Sequence, residues 1–222
     1  MPLESSMSAD PPEDSFWWPA RTADETAPVR QQILQAAYRE IHVHGFQAAS
    51  LSRILARTGV SKGALYHYFP NKTELGYAVV DELLAQRIEE RFILPLIRAE
   101  DPVEALVEII VRSGEALTLG DIELGCPLST LAQEMSSLDE GFHQRLLAIH
   151  ERWRETLQQT LVRAQSLGRI DSSVDAEVVS VMVLSTLEGC LQTGKITRSL
   201  DRLRQCGLGL IHYLRSLQRQ PE

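Results

Sequence analysis

Apolar residues recur along most of this chain at the three-to-four-residue spacing of one helix face, and no stretch alternates with period two long enough to make a strand. From Pro28 onward Ile33, Ala36, Ala37 and Ile41 share a face, and Gly45 ends the run. Pro28 suits the start, because a first helical turn has no use for the N–H that proline lacks. Ser50 is placed to cap a second helix whose inward face is Leu51, Ile54 and Leu55, and Thr58-Gly59-Val60 breaks it. Ser61 opens a third helix that runs to about His67. Leu65 and Phe69 are expected to share a small core with Phe46 and Val60, with Tyr68 assigned to the core as well. That leaves Lys62, Gly63, Tyr66 and His67 facing outward. Two short helices joined by a tight turn containing Gly form a helix-turn-helix.

Beyond Asn71 the helical pattern lengthens. Helices are predicted near 72–93, 102–118, 127–136, 139–166, 175–196 and 199–218; Asp101-Pro102 supplies a cap and a first-turn proline, and Gly168 a stop. No repeat of 20–50 residues suggests a solenoid. The predicted fold class is all-α, with an N-terminal three-helix unit at 28–73 and a second helical domain at 74–222. Residues 1–27 hold Pro2, Pro11, Pro12 and Pro19, six acids and one base, a composition that disfavours a packed core, so a disordered acidic tail is expected there. Phe16, Trp17 and Trp18 are out of keeping with such a tail; beside a lightly packed tail stands the alternative that they dock on the body of the protein or on a partner.

Charge changes the picture only once it is divided. The whole chain, at net −8, argues against nonspecific coating of nucleic acid. Residues 28–73, however, hold Arg30, Arg39, Arg53, Arg57, Lys62 and Lys72 against Glu40 alone, a net +5, which leaves −13 for the rest. A basic three-helix unit on an acidic helical body is the electrostatic pattern of a DNA reader. The three cysteines, Cys126, Cys190 and Cys206, include no CxxC and suit a reducing cytoplasm. Apolar runs such as Val178–Leu184 are too short to span a bilayer, and the acidic N-terminus does not read as a signal peptide. A cytoplasmic protein without a membrane partner is expected.

The stretch from Ser50 to Lys72, and above all GVSKGALYHYFPNK, closely resembles the DNA-binding motif of the TetR family of bacterial transcription regulators. The resemblance implies double-stranded operator DNA as partner. Ser61, Lys62, Gly63 and Ala64 would lie where side chains reach base edges, with Lys62 able to pair with a guanine. Ser50, Tyr66, His67 and Lys72 would hold phosphates. Relatives often carry a basic arm before the first helix; this chain has acids there, so the salt dependence of binding is expected to be shallower.

The rest of the chain resembles the family in its helical content and in the stretch GCPLSTLAQEMS at 125–136, which looks like one branch of it. The resemblance implies a homodimer, here through 175–218, where Val178, Val181, Met182, Leu187, Leu191, Leu203 and Leu210 make two consecutive apolar helices. It also implies a cavity for a small-molecule effector, with Glu134, Met135, Phe142 and Trp153 as candidate lining groups. Cys126 stands before Pro127 at a predicted helix start, where the helix N-terminus lowers a thiol pKa. With Lys195 close by in this branch, Cys126 becomes a candidate sensor of oxidants or electrophiles. The implied function is a ligand-responsive repressor; a ligand-independent DNA-binding or interaction module is the alternative.

An enzyme is disfavoured, and no cofactor or metal is expected. GCLQTGKI at 189–196 nearly spells a phosphate loop, but Ile196 stands where a hydroxyl is required. His42 and His44, two apart on a helix, point to different faces and cannot share a metal.

Overall fold

The computed structural model describes residues 15–18 and 28–218, and these form an all-α protein. The only β pairing among them is an isolated antiparallel bridge between Ile170 and Gln218. No helix among the described residues is long and apolar enough to cross a membrane.

The head is built as the pattern predicts. Helices α1 (Val29–His44), α2 (Leu51–Thr58) and α3 (Lys62–Tyr68) bury Ile33, Ala37, Ile54, Leu65 and Phe69 against one another. Ser50 and Ser61 cap α2 and α3, their hydroxyls accepting from the Arg53 and Ala64 backbone N–H groups at 3.4 and 3.2 Å. The turn between the two helices needs Gly59, which sits at φ +67°, a conformation that costs other residues dearly. Tyr68 does not join this core: it is 40% exposed, because α3 ends on it and turns its ring outward while Phe69 goes in.

The predicted helix 72–93 runs further, as α4 (Lys72–Ala78), a π-helical stretch (Val79–Leu84), α5 (Ala85–Ile88), a second π stretch (Glu89–Ile93) and α6 (Leu94–Arg98). In the π turns the Ala85 and Leu94 N–H groups bond back five residues, to the Val80 and Glu89 carbonyls. The wide second turn lets the helix continue into Pro95, which has no N–H to contribute.

The body comprises α7 (Pro102–Ala116), α8 (Leu119–Leu124), α9 (Pro127–Met135), α10 (Glu140–Ser166), α11 (Ala176–Thr197) and α12 (Leu200–Ser216). Five of these match predicted helices to within two residues at either end. Helix α8 was not anticipated: its six residues are too short to show a period, and it stands on a reciprocal capping box in which Thr118 and Asp121 satisfy each other's backbone N–H groups.

Head and body are joined closely. A Cβ on Gly76 would lie 2.5 Å from the Phe46 ring and 2.7 Å from Phe142, so α4 carries a glycine where the α1–α2 turn meets α10. Gly76→Ala is expected to lose about 1–3 kcal/mol of folding stability through overpacking, read by urea denaturation. Glu134 of α9 accepts from the Phe46 and Gln47 N–H groups at 2.8 and 2.9 Å. Arg30 of α1 forms a two-pronged ion pair with Glu82 at 2.7 and 2.5 Å.

The expectation of a disordered tail is corrected at residues 15–18. Phe16, Trp17 and Trp18 are buried, wedged between α1, the long helix from α4 to α6 that connects head to body (the connecting helix), and α8. Burying three aromatic rings outweighs the ordering cost that composition alone suggested. The remainder of that tail lies outside the described residues.

Candidate DNA interface and effector cavity

Helix α3 presents Lys62, Gly63, Tyr66, His67 and Tyr68 on its exposed face, with Ala64 partly covered. The Lys62 ammonium lies 5.8 Å from the centre of the Tyr66 ring, and the His67 and Tyr68 rings meet edge to face at 5.0 Å. The hydroxyls of Ser50 and Ser61 are engaged as helix caps, so their first role is to hold α2 and α3 in place.

Several cations of the head are committed within the protein. Arg53 pairs with the buried Glu40 through Nε at 2.6 Å, Arg30 pairs with Glu82, and the Arg39 guanidinium lies over the Trp18 ring. Lys72 donates to the Gln47 carbonyl at 2.9 Å and covers Phe46, and partial burial lowers its pKa. Arg57 and Lys62 have no carboxylate partner among the described residues. The +5 of the segment therefore overstates the charge free to meet phosphates.

In the body a cavity of about 320 Å³ is walled by Phe16, Phe92, Trp153, Leu187, Leu203 and Ile211, with Trp17, Cys126 and Cys190 also on its lining. The Phe92 ring lies tilted against Trp153 at 4.5 Å and against Trp17 at 6.4 Å, centre to centre. Few polar groups reach this wall; Glu188 is one, and burial raises its pKa.

Of the predicted lining groups, Trp153 and Cys126 are on this cavity. Glu134, Met135 and Phe142 are not brought to it: Glu134 ties α9 to the α1–α2 turn, Met135 is buried, and Phe142 packs on Phe46 and Tyr77 at 4.6 and 5.0 Å. Glu134 and Lys195 line a second, more polar cavity of about 310 Å³ between α1 and α9, together with His42 and His44.

The lowered thiol pKa expected for Cys126 is reversed. Cys126 does precede α9, and the Leu128 and Ser129 N–H groups favour the thiolate, but burial outweighs them and pushes the pKa up to about 12. The Lys195 ammonium donates to the Leu124 carbonyl at 3.1 Å and lies 3.6 Å from where a Gly125 side chain would begin, beside Cys126 in sequence. No group of three or more His, Cys, Asp and Glu side chains is placed to hold a metal among the described residues.

A family model for bacterial regulatory proteins of the tetR family matches residues 33–79, and one for a tetracyclin repressor-like C-terminal domain matches 102–206. The chain is a tetR-family transcriptional regulator in fold and domains. TetR-family regulators are non-catalytic DNA-binding proteins, which places this chain outside the enzymes.

Among similar proteins are the transcriptional regulator AcuR of Cereibacter sphaeroides, 25% identical over 91% of this chain and 92% of its own, and the HTH-type transcriptional repressor DhaR of a Mycobacterium species, 23% identical over 80% and 88%. Similar solved structures include a TetR regulator from Chloroflexus aurantiacus, with TM-score 0.76, 25% identity, and 87% of this chain and 97% of that one covered. The reduced form of NemR from Escherichia coli aligns with TM-score 0.75 and 19% identity over 88% of this chain and all of its own, which is a likeness of fold.

Within this tetR-type frame, two sets of residues escaped sequence reasoning. Tyr68, expected in the core beside Phe69, stands on the exposed face instead. The cavity wall from Phe16 and Trp17 had one signal, an aromatic cluster in an acidic, proline-containing stretch.

Proposed function

We propose that this protein is a homodimeric, ligand-responsive repressor that reads operator DNA with α3 and leaves it when a small apolar molecule fills the cavity of the body. The observation that carries the proposal is the pairing of an exposed Lys62–Tyr68 face with a mostly apolar cavity of about 320 Å³ on a tightly joined head and body. Residues 28–73 form the reader and 74–222 the effector and dimer domain. Lys62, Gly63, Ala64 and Ser61 stand at base edges, while Tyr66, His67, Ser50 and Lys72 lie along the phosphates, joined by Tyr68.

Dimerisation through 175–218 draws support from the two faces of α11. Val179, Val183 and Leu184 are buried within the subunit, but Val178 is 63% and Val181 48% exposed, and α12 adds Leu208 at 51%. A second copy would cover this strip. Gly207 serves the subunit itself, since a side chain there would meet Ile110 at 3.1 Å.

Ligand entry, rather than modification of Cys126, is the release signal we favour, because a buried thiol with a raised pKa is a slow nucleophile. Cys126→Ser is expected to leave release intact.

Binding-site selection with the purified protein, followed by operator titration, tests the reading. Lys62→Ala is expected to lose about 1–3 kcal/mol of operator affinity per half-site and to relax base preference at one position. Uniform weakening across all sequences would instead make Lys62 a phosphate contact. With so few free cations, the salt slope is expected to be shallower than that of basic-armed relatives.

A further inference from the structure

We propose that the Ser15–Trp18 segment is the relay that carries occupancy of the cavity to the DNA-binding head; this inference rests on the cavity reading above. The segment belongs to both regions at once. On the cavity side, Phe16 and Trp17 are part of the wall, and their rings meet edge to face at 4.9 Å. On the head side, three residues of α1 hold the same few atoms. Tyr38 donates its hydroxyl to the Trp17 carbonyl at 2.9 Å, the Trp18 indole N–H donates to Nδ1 of His42 at 3.2 Å, and Arg39 covers the Trp18 ring at 5.0 Å.

Two further anchors fix the segment to the rest of the protein. Asp121 of α8 accepts from the Phe16 N–H at 2.9 Å and from the Ser15 hydroxyl at 2.5 Å. Arg87 of the connecting helix donates to the Phe16 carbonyl at 2.8 Å and to the Trp18 carbonyl, and Arg91 lies over the Phe16 ring at 3.9 Å. A molecule entering the cavity meets Phe16 and Trp17, and the Trp17 carbonyl is hydrogen-bonded to Tyr38 of α1. Any displacement of that wall is therefore felt by α1, against which α2 and α3 pack.

Trp17 also points to the chemistry of the effector. Its side chain is 1% exposed, and its indole N–H has no acceptor among the described residues. An unpaired buried donor is costly, and a ligand acceptor that reached it would recover that cost. The N–H is shielded in this state, so an acceptor reaches it only by shifting the ring, which pulls on the carbonyl that Tyr38 holds. The class of ligand is an uncharged, largely aromatic or aliphatic molecule with one carbonyl or ether oxygen. Its differential affinity for the shifted wall is what biases the head.

The test compares the full-length protein with its Tyr38→Phe/Trp18→Phe double variant, which keeps an aromatic side chain at both positions but removes both hydrogen bonds to α1. The probe is prodan, a neutral naphthalene ketone whose emission reports entry into an apolar site. For each protein, the prodan Kd is read by fluorescence, and the Kd for a selected operator duplex is measured with and without saturating prodan.

In the wild type, prodan is expected to weaken operator binding at least tenfold. The double variant is expected to bind prodan within threefold of wild type and to show less than half the wild-type ratio of operator Kd values. A ratio of half the wild-type value or more, with prodan bound, overturns the relay. Prodan that fails to bind the wild type, or binds without weakening operator affinity, overturns the cavity reading and the relay with it. Should the double variant not fold by circular dichroism, Trp18→Phe alone is judged by the same threshold.

Discussion

Trp17→Ala is expected to cost about 3–5 kcal/mol of folding stability, at the upper end of what one core substitution does. The side chain is 1% exposed and packs on both Phe16 and Phe92, so alanine leaves a hole in the wall of the cavity as well as losing the burial itself. Because the segment is held at both faces, neighbouring rings cannot collapse into the space without giving up the Tyr38 and Arg87 hydrogen bonds. Urea denaturation of the full chain reads the effect as a lower midpoint. A loss under about 1 kcal/mol would mean that residues 15–18 are not docked in solution.

Acidification provides the second large effect, through His42. Burial lowers its pKa from 6.5 to about 4, against the opposing pull of the Gly125 carbonyl; the charge of Lys195 lowers it further and that of Asp121 raises it. The ring is held as the neutral tautomer: Nδ1 accepts from Trp18, so Nε2 carries the hydrogen and donates to the Gly125 carbonyl at 2.9 Å. In the unfolded chain His42 takes a proton near pH 6.5, whereas the folded protein resists until about 4. The resulting stability is complete above pH 6.5 and falls as the pH drops from there toward 4, by about 3 kcal/mol in all. Glu188, with its raised pKa, works in the opposite sense by losing stability as pH rises. The difference in pH profile between wild type and His42→Gln therefore isolates the histidine. The wild type is expected to lose more stability between pH 6.5 and 4 than the variant, and parallel profiles would show that His42 titrates freely.

The architecture was largely legible because long helices repeat their period many times. Helices α10, α11 and α12 have 27, 22 and 17 residues, and their caps at Asp139, Asp175 and Ser199 reinforce the pattern. Helix α8 was hidden because six residues make fewer than two turns, and the only signal was the Thr118–Asp121 spacing. The π stretches leave no pattern of their own, since they change hydrogen bonding without changing which residues are apolar.

The site divided in the same way. The exposed face of α3 follows from a local motif, Tyr68 apart. The cavity draws its wall from residues as far apart as Phe16 and Ile211, and no local pattern reports such a meeting. Cys126 shows the limit of local reasoning most plainly. Its position before Pro127 correctly places it at a helix start, yet the long-range burial that sets its pKa is invisible from that position. Phe16, Trp17 and Trp18 were judged by the composition around them, while Asp121, Arg87 and Tyr38, distant in sequence, decide where they go.

In the proposed reading, this acidic protein holds DNA with few free cations. Arg30 is paired with Glu82, Arg53 with Glu40, and Lys72 donates to the Gln47 carbonyl, whereas Arg57 and Lys62 have no carboxylate partner among the described residues. On that reading, binding depends on two correctly spaced recognition helices more than on charge, so a modest shift of α1 would spoil the fit.

Native mass spectrometry of the full-length protein on a selected operator duplex, with and without an apolar ligand found to bind the cavity, tests that account most directly. The account predicts an even number of chains per duplex, two at a single palindromic site, and free duplex together with ligand-bound dimer once the ligand is added. A single chain per duplex, or ligand-bound protein that stays on the DNA in undiminished amount, would contradict it.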